Sequence, residues 1–336
     1  MKRKTILLSH GGGGKHTRQL IEEHFLPAFS NSMLEKLGDS AVFKINGKNI
    51  AFTTDTFVVK PLFFPGGDIG DLAVYGTVND LAVMGARPLH LSTGFVIEEG
   101  LTFETLDRVI TSMNEASKKA GINIVTGDTK VVERGGADGI FINTSGIGVI
   151  EDGLMSDEPI SPGDRIILNG TLGDHGIAVL SARGELPLES NIVSDAAPLN
   201  KIIFPLLEKF PGKVRFMRDA TRGGFATVLN EICEGENFGI TVTQRDIPVR
   251  EDVHAVCELL GFDPLYVANE GKVVIIIDGD VADDALEMLR SQPLGENSAI
   301  VGEITPDNPG RAILKTMIGG GRILDMMIGD QLPRIC

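Results

Sequence analysis

The sequence predicts a two-domain protein of the α/β (α+β) class. Segments with strand and helix patterns alternate along its 336 residues, as in folds that pack helices against a sheet. That length exceeds what a single hydrophobic core usually organises. A polar stretch rich in turn-forming residues, 151–164, separates two such series. We therefore predict a first domain over residues 1–155, a second over 156–305 and a C-terminal tail over 306–336.

In the first domain, two strands and two helices are the best-defined elements. Residues 50–59 and 140–150 are rich in apolar and β-branched residues, which is typical of strands. Residues 68–85 and 103–120 have helical patterns, and suitable capping residues stand at both ends of the second helix.

The second domain repeats the alternation of strands and helices, and its pattern weakens from about Thr305. Its predicted elements are residues 165–169, 174–183, 198–209, 222–233, 252–260, 272–277 and a strand near 299–301. Three consecutive glycines, Gly319 to Gly321, predict a hinge, so that the residues after them form a flexible C-terminal tail.

Composition argues against several classes of function. The chain has 46 acidic and 31 basic residues, and its net charge of −15 argues against a nucleic-acid partner. The apolar run at residues 6–8, behind a basic N-terminus, is far shorter than an export signal needs. No segment approaches the ~18 consecutive apolar residues of a membrane span. We therefore expect a cytoplasmic protein without a membrane or nucleic-acid partner.

A glycine-rich segment stands near the start of the chain, where residues 9–16 read Ser-His-Gly-Gly-Gly-Gly-Lys-His. The spacings of the phosphate-binding P-loop and of the dinucleotide-binding motif both fail, because Ser9 and His16 occupy required positions. Consecutive glycines still expose backbone N–H groups that can bind phosphate ahead of the helix pattern near Thr17. The alternative is a disordered N-terminal arm, and composition alone does not decide between the two.

Three aspartates lie in apolar surroundings in the first domain. Asp55 interrupts a strand, Asp80 shares a helix face with small residues, and Asp128 follows a strand. A buried carboxylate is costly unless it is paired or binds a metal, and Mg²⁺ takes carboxylate oxygens together with substrate phosphates. With Lys130 close by in the sequence, the three aspartates predict a site for Mg²⁺ and ATP. The alternative is three unrelated turn or capping aspartates.

Two glycine loops, within residues 169–177 and 218–225, lead into helices in the second domain. Both could present backbone N–H groups to a phosphate. Both are also what a tight turn between a strand and a helix requires for structural reasons alone. Asp174 and His175 stand at a predicted helix start, where such residues are more often caps than catalysts.

The three cysteines form no C-x-x-C pair, so neither a zinc site nor a dithiol redox motif is predicted. Cys233 and Cys257 fall in helix patterns and are expected in the core. Cys336 is the last residue, and a tail from Arg322 onward could reach roughly 50 Å when extended. Such a tail could carry a group between two sites. The alternative is a frayed chain end that happens to finish in cysteine.

Motifs spread over essentially the whole chain resemble those of a known family. They are His10-Gly11 with the glycines that follow, FTTDTFV, PLFFPGGDIG, GTVNDLAVMGARP, VTGDTKVV, GTLGDHG, RDATRGG, ANEGKVV and the terminal PRIC. With them the chain resembles the HypE family of hydrogenase maturation carbamoyl dehydratases, in the PurM-like ATP-binding superfamily. The resemblance implies a two-domain PurM-like fold whose N-terminal domain forms a homodimer through its strands, with ATP and Mg²⁺ bound near that interface.

The resemblance also implies roles for individual residues. The implied ATP-binding residues are Gly11, Gly12, Gly13, Gly14, Asp55, Asn79, Asp80, Gly127, Asp128 and Thr129, with Asp55, Asp80 and Asp128 as the Mg²⁺ ligands. Further site candidates are His10, Asp174, His175, Asp219 and Arg222. The catalytic group is the Cys336 thiol, with Glu270 or Lys130 as the base.

In the implied reaction, a partner carbamoyltransferase of the HypF type delivers a carbamoyl group to the Cys336 thiol. ATP phosphorylates the thiocarbamate oxygen, since phosphate is a better leaving group than amide oxygen. Loss of phosphate and protons leaves a thiocyanate. The cyano group then passes to iron on a HypC–HypD complex, for the active site of [NiFe] hydrogenase.

Two alternatives stay open at this point. Another enzyme of the superfamily, such as a selenophosphate or aminoimidazole ribonucleotide synthetase, would share the aspartates and glycine loops but would need no terminal cysteine. A non-enzymatic carrier or scaffold would use Cys336 only as an attachment point and would not hydrolyse ATP.

Overall fold

The computed structural model describes residues 5–184, 191–328, 332 and 334–336, which form two domains, each built on a β-sheet. The helices are α1 (Lys15–Leu20), α2 (Leu26–Phe29), α3 (Ile69–Val83), α4 (Phe103–Ala120), α5 (Asp174–Ala182), α6 (Asn200–Lys209), α7 (Gly224–Cys233), α8 (Glu251–Leu260) and α9 (Ala282–Arg290). The strands are β1 (Ala41–Ile45), β2 (Lys48–Phe57), β3 (Phe63–Phe64), β4 (Gly67–Asp68), β5 (Ala86–Glu98), β6 (Asn123–Val132), β7 (Ile140–Ile150), β8 (Arg165–Leu168), β9 (Val214–Asp219), β10 (Gly239–Thr243), β11 (Val273–Ile277), β12 (Ala299–Thr305), β13 (Ala312–Lys315) and β14 (Gly321–Leu324).

The first domain is built on a five-stranded sheet with the order β1-β2-β7-β5-β6. Helices α3 and α4 cover one face, and side chains alternate between that face and the other. In β2, for example, Ala51 and Phe57 are buried on the helix side, whereas Phe52 on the opposite side is exposed. We call this opposite side the open face of the first sheet.

Helix α3 lies at the centre of the molecule, between the first sheet and the second domain. It begins at Asp68, whose side chain caps the helix by accepting hydrogen bonds from the N–H groups of Gly70 (2.7 Å) and Asp71 (3.2 Å). Nearly every residue of α3 is buried, as expected for a helix that is apolar on all sides. A Cβ at Gly76 would lie 2.8 Å from the Phe57 ring, so the absence of a side chain at this position lets β2 pack closely against α3.

The second domain contains a seven-stranded sheet with the order β14-β13-β10-β12-β8-β11-β9. All residues of β11 are buried, because α6 and α9 pack on one face of the sheet and α7 packs on the other. Because helices cover both faces of the sheet here, neither side of β11 faces solvent, and this explains why its sequence is continuously apolar.

The predicted start of the C-terminal tail at residue 306 is wrong, because two further strands after residue 305 extend the second sheet. β13 pairs in parallel with β10, and β14 pairs antiparallel with β13, so the second domain continues to Leu324. The three glycines form the turn between these strands and not a hinge, with Gly319 in the left-handed region at φ 86°. The predicted boundary after residue 155 lies in the segment between β7 and β8.

Helices α3 to α8 agree with the predicted segments to within two residues at each end. Strands β1, β5, β9 and β10 and helix α9 are among the elements that were not predicted, and β5 shows why. Arg87, Pro88 and His90 interrupt its apolar pattern, yet the strand forms because β6 and β7 pair with it on both sides. In the part of the chain that the structure describes, each helix is too short or too polar for a membrane span.

Candidate active site

A cleft of about 810 Å³ lies between the two domains. The first domain contributes β2 and α3, and the second contributes the end of β9 and the loops before α7 and β11. The glycine-rich segment and the last residue of the chain complete its wall. Seven of the predicted site residues line this cleft: Gly13, Asp55, Asp80, Asp219, Arg222, Glu270 and Cys336.

Acidic side chains are concentrated in this cleft. Asp80 is enclosed by protein apart from its opening to the cleft, and its Oδ2 accepts a hydrogen bond from Thr53 Oγ1 at 2.8 Å. Burial, reinforced by the charges of Asp219, Asp39 and Asp55, raises the pKa of Asp80 well above its usual range. Burial also raises the pKa of Asp219 to about 8. Carboxylates that raise one another's pKa lack compensating positive charge, which a proton or a cation can supply.

Two arginines offset part of this negative charge. Arg218 Nε lies 3.1 Å from Asp39 Oδ2, and its Nη1 lies 2.6 Å from Glu231 Oε2. Arg222 Nη2 lies 3.8 Å from Asp55 Oδ1. Burial is the main cause of the raised pKa of Asp55, and Arg222 opposes it.

The glycine-rich segment is ordered and packs against Arg222. The Gly11 carbonyl accepts a hydrogen bond from Arg222 Nη1 at 3.0 Å. Gly13 has φ 78°, and a Cβ at this position would lie 2.7 Å from Arg222 Cβ. Only glycine therefore fits at position 13. The segment therefore packs against the second domain through Gly11 and Gly13, as the phosphate-binding alternative requires and a disordered arm would not.

Three other predicted residues of the segment lie beside the cleft. Gly12 lines a small cavity that Ile335 also borders. Gly14 is the N-cap residue of α1. The rings of His10 and His16 are stacked with their centroids 5.6 Å apart.

Glu270 stands in the loop before β11, and its N–H donates a hydrogen bond to Asp195 Oδ1 at 3.1 Å. Its side chain is buried, and Oε1 has no hydrogen-bond partner within the described ranges. Burial, then the charges of Asp219 and Asp55, raises the pKa of Glu270 well above its usual range, while Arg222 opposes this. A buried carboxyl group in these surroundings suits a proton acceptor or a cation ligand.

The last residues of the chain are docked in the cleft. Leu332 and Ile335 anchor this end of the chain, because both are buried in a core cluster to which the first domain and helices α5 and α8 contribute. The Ile335 carbonyl accepts a hydrogen bond of 2.8 Å from His175, whose Nε2 must carry the proton since a carbonyl only accepts. Cys336 follows, half-buried, with its carbonyl oxygen 3.0 Å from Val58 N.

Asp128 and Lys130 lie elsewhere, on the edge strand β6. The strand register places both on the open face of the first sheet, whereas Asp55 points to the helix side. Lys130 Nζ lies 2.5 Å from Asp128 Oδ2, and this hydrogen bond lowers the pKa of Asp128. Gly127 and Thr129 belong to the same exposed strand. The single chain therefore does not bring the three predicted Mg²⁺ ligands together.

Asn79 and Asp174 do not line the cleft, and their side chains make hydrogen bonds that stabilise the fold. The buried Asn79 donates to the Ala197 carbonyl at 3.1 Å and accepts from the Leu199 N–H at 2.8 Å, so it joins α3 to the second domain. The Asp174 side chain accepts a hydrogen bond from the Thr171 hydroxyl at the start of α5.

The fit of a magnesium ion depends on Asp55 and Asp80. Within the described residues, no three carboxylate, imidazole or thiol groups are close enough together to hold a metal ion without further ligands. Mg²⁺ commonly uses one or two carboxylates together with phosphate oxygens, and the two aspartates suit that arrangement. Burial raises the pKa of both, which indicates that a cation in this part of the cleft would be favoured.

Among the cleft residues that sequence reasoning missed is a group of paired charges, formed by Asp39, Arg218 and Glu231. Arg218 opens the RDATRGG motif, which could have pointed to it. Asp39 stands in a polar loop before β1, and no local pattern distinguishes it from a surface residue. Glu231 lies in α7 and its partner Arg218 lies in β9, so their pairing depends on the tertiary fold.

Comparison with known proteins identifies the family of this chain, and the matches extend over nearly its whole length. Two family models match: the N-terminal domain of AIR synthase related protein over residues 37–150, and its C-terminal domain over 161–315. The chain is 49% identical over 330 residues to carbamoyl dehydratase HypE of Bradyrhizobium diazoefficiens, covering 98% of this chain and 95% of that protein.

Solved structures of HypE proteins are similar to this chain as well. A crystal structure of a HypE–HypF complex matches with 47% identity and a TM-score of 0.85, covering 92% of this chain and 99% of that one. A crystal structure of hydrogenase maturation protein HypE in complex with ATP matches with 45% identity and a TM-score of 0.81, covering 99% and 100%. The chain belongs to the HypE family of carbamoyl dehydratases and has the two-domain PurM-like fold.

Proposed function

We propose that this protein is an ATP-dependent dehydratase that acts on a carbamoyl group carried by its own Cys336. The observation that carries the proposal is the docked chain end, because Cys336 lines the same cleft as Asp55, Asp80 and Glu270. Relatives named carbamoyl dehydratase HypE, and a HypE structure with bound ATP, support the activity and the nucleotide. A cytoplasmic location is part of the same proposal.

In the proposed reaction, the sulfur of Cys336 carries a –C(=O)–NH₂ group. Transfer of the γ-phosphoryl group of ATP to the carbonyl oxygen converts that oxygen into a good leaving group. The nitrogen loses both of its protons, and the C–O bond breaks as phosphate leaves. The products are a thiocyanate on Cys336, ADP and phosphate. Mg²⁺ bound with ATP would neutralise the negative charge of the transferring phosphoryl group.

Glu270 is the base that we propose for removing an N–H proton. Its unpartnered Oε1 is buried in the wall of the cleft that Cys336 enters. Lys130, the other candidate, lies on the open face of the first sheet and does not line the cleft.

Turnover should rise with pH as Glu270 loses its proton. Burial and neighbouring carboxylates raise the pKa of Glu270, and a base acts only in its deprotonated form, so the rate increases as pH passes through that raised pKa. Glu270→Gln should lower kcat by about 100-fold and remove this limb of the pH profile. Profiles of kcat against pH test this, with Glu303→Gln at an exposed ion pair as the control. A Glu270→Gln profile that keeps the limb would assign the base to another residue.

We further propose that two chains pair through the open face of the first sheet. This face carries exposed apolar side chains, among them Phe52 (45% exposed) and Val96 (36% exposed). Polar side chains such as Thr54 and Ser145 stand on the same face, and exposed large apolar side chains on such a face can mark an interaction site. Pairing would also cover Asp128 and Lys130, which stand on the same face.

Sedimentation at micromolar concentration should give twice the chain mass of 35.9 kDa. Phe52→Asp should shift the protein towards the monomer, because it puts a charge into the apolar interface. Phe103→Asp is the matched control, since Phe103 is 81% exposed and stands at the start of α4, on the helix side of the sheet. A monomeric wild type, or equal effects of the two substitutions, would argue against this interface.

The carbamoyl group is proposed to come from a carbamoyltransferase of the HypF type, and the cyano group to pass to iron on a HypC–HypD complex. The HypE–HypF complex among the similar structures supports the first partner. Both transfers require the docked Cys336 to leave the cleft, since its thiol must meet a second protein.

Intact-mass spectrometry tests the proposed function. The protein is incubated with a donor carbamoyltransferase and carbamoyl phosphate, and ATP is added afterwards. We expect the mass to increase by one carbamoyl group and then to fall by one water after ATP addition. Another synthetase of the superfamily predicts no carbamoyl adduct, and a scaffold predicts an adduct that ATP does not change.

A further inference from the structure

We propose that Asp138 is a positioning residue for Cys336: it binds the guanidinium of Arg334, two residues before the thiol, and thereby holds the thiol in the cleft. A chain end without an arginine at this position would dock less firmly. The inference deepens the proposed function, because it takes Cys336 as the reacting residue.

The first step of the argument concerns the side chain of Arg334. Its Nη1 lies 2.5 Å from Asp138 Oδ2, and its Nε donates a hydrogen bond of 3.1 Å to the Val58 carbonyl. Because two donors of one planar group meet two separate acceptors, both the position and the plane of the guanidinium are fixed. These bonds require an arginine side chain, so they distinguish this chain end from one of another sequence.

The main chain of Arg334 is held as well, but without selectivity. Its carbonyl accepts hydrogen bonds from Lys60 N–H at 3.2 Å and from Arg183 Nη2 at 3.0 Å. Arg183 Nε also donates to the Lys60 carbonyl at 3.0 Å. A main-chain carbonyl is present in any sequence, so these bonds stabilise docking without selecting a residue type. The selective contacts are therefore those of the guanidinium.

The backbone of Arg334 gives independent support. Its φ of 57° lies in the left-handed region, which is unfavourable for a residue with a Cβ and suits glycine or asparagine better. A residue of another type is stable in this conformation only where other contacts offset the strain. The ion pair with Asp138 and the bond to Val58 are contacts of this kind.

Asp138 stands in the loop between β6 and β7, and this loop is fixed by the first sheet. Glu98, in β5, accepts hydrogen bonds from the N–H groups of Gly135 (2.7 Å) and Gly139 (2.9 Å). These bonds involve no residue of the chain end. The loop therefore presents the carboxylate of Asp138 in place before the chain end docks.

A second cation, Lys60, also contacts Asp138, with its Nζ 2.9 Å from Oδ2. The Lys60 side chain is 61% exposed, whereas that of Arg334 is 28% exposed. Water and salt screen the more exposed pair more strongly, so Arg334 is the stronger partner of Asp138.

Arg334 is close enough to the thiol to position it. One residue, Ile335, separates it from Cys336, and two residues of chain span at most about 7 Å. Ile335 is itself buried, and its carbonyl accepts the hydrogen bond from His175. A guanidinium bound by Asp138 therefore limits how far the thiol can move from the cleft.

The test measures how often the chain end leaves the cleft in the full-length protein. A bulky maleimide reports release, because the half-buried Cys336 becomes fully accessible to it when the chain end opens, whereas Cys233 and Cys257 are buried. The proteins compared are the wild type, Asp138→Asn, Arg334→Gln and the double variant. Short peptides with the arginine or the glutamine ending give the intrinsic thiol reactivity for correction.

Asp138→Asn should be labelled about fivefold faster than the wild type, because a half-exposed ion pair is lost. Arg334→Gln, which also loses the bond to Val58, should be labelled about tenfold faster after correction. In the double variant, Asp138→Asn should add nothing to Arg334→Gln, because its partner is already absent. Asp138→Glu keeps the charge and should recover most of the wild-type rate. A wild-type rate in Asp138→Asn, or effects that multiply in the double variant, would overturn the proposal.

Two further variants complete the test. Glu303→Gln removes an ion pair with Arg165 at a side chain that is also 41% exposed, and it should keep the wild-type rate. In Lys60→Gln, the substitution Asp138→Asn should still accelerate labelling about fivefold. Loss of that effect would assign Asp138 to Lys60 and contradict the proposal. Labelling needs neither ATP nor a carbamoyl donor, so its failure is separable from failure of the dehydratase proposal.

Discussion

Asp80→Asn is expected to lower ATP turnover by about 100-fold or more while the protein keeps its fold. The amide has the shape of the carboxylate and can still accept the hydrogen bond from Thr53 Oγ1. It cannot supply the negative charge that would hold Mg²⁺ with the nucleotide. ATP hydrolysis and circular dichroism of the variant test both halves of the prediction, and normal turnover would remove Asp80 from the site.

The same variant should be at least as stable as the wild type when no nucleotide is present. The pKa of Asp80 is raised in the folded state, so above the unfolded pKa the folded protein holds more protons than the unfolded chain. Stability is therefore lost as pH rises through the window between the two pKa values, and asparagine removes that loss. Thermal denaturation at pH 7 should show an equal or higher Tm for Asp80→Asn.

Addition of Mg²⁺ and ATP completes this experiment. These ligands should raise the Tm of the wild type and have a much smaller effect on Asp80→Asn, since only a state that binds the ligand is stabilised. Asp246→Asn is the matched control, because it removes one carboxylate at an exposed position. An equal increase of Tm in Asp80→Asn and wild type would show that Asp80 does not contribute to nucleotide binding.

Cys336→Ala is expected to bind ATP normally and to form neither a carbamoyl nor a cyano adduct. The substitution removes the proposed nucleophile but keeps the terminal carboxylate and the main-chain contacts of the docked chain end. Intact-mass spectrometry after the full reaction should therefore show only the unmodified protein. Cys257→Ala serves as the control, since that thiol is buried and burial raises its pKa to about 11, so the adduct should still form.

A second form of the protein, with several residues appended after Cys336, should accept the carbamoyl group poorly or dehydrate it slowly. If Cys336→Ala still gained a mass that fell by one water on ATP addition, the modified thiol would be Cys233 or Cys257. The mechanism with a moving chain end would then be wrong.

Several residues of this cleft could be predicted from the sequence, because each is unusual within its own local segment. Asp55 and Asp80 stood out as carboxylates in apolar segments, and the structure brings both to one wall of the cleft. The pairing of Asp39 with Arg218 joins positions 179 residues apart, and no local pattern encodes it. Asp128 shows the opposite limit, because its strand was recognisable but the face of the sheet to which it points depends on the register with β5.

The fold shows the same difference between elements that have a local sequence pattern and elements that depend on tertiary contacts. Helices α4 and α5 have local helical patterns and begin at the predicted residues, and α4 also has the predicted capping residues at both ends. β13 and β14 are only four residues long, too short for a clear local pattern, and they form by pairing at the edge of the second sheet, which depends on the tertiary fold. The docking of Ile335 likewise depends on His175, which is 160 positions away in the chain.

The docked chain end also has a kinetic consequence, because the thiol is tethered to the protein that binds it. A group on a short tether meets its site at an effective concentration on the order of millimolar, whatever the concentration of the protein. Contacts too weak to capture a free peptide can therefore keep the cleft largely filled. Weak contacts also break quickly, so the same thiol can be resident for most of the time and still be released often enough to exchange its cargo.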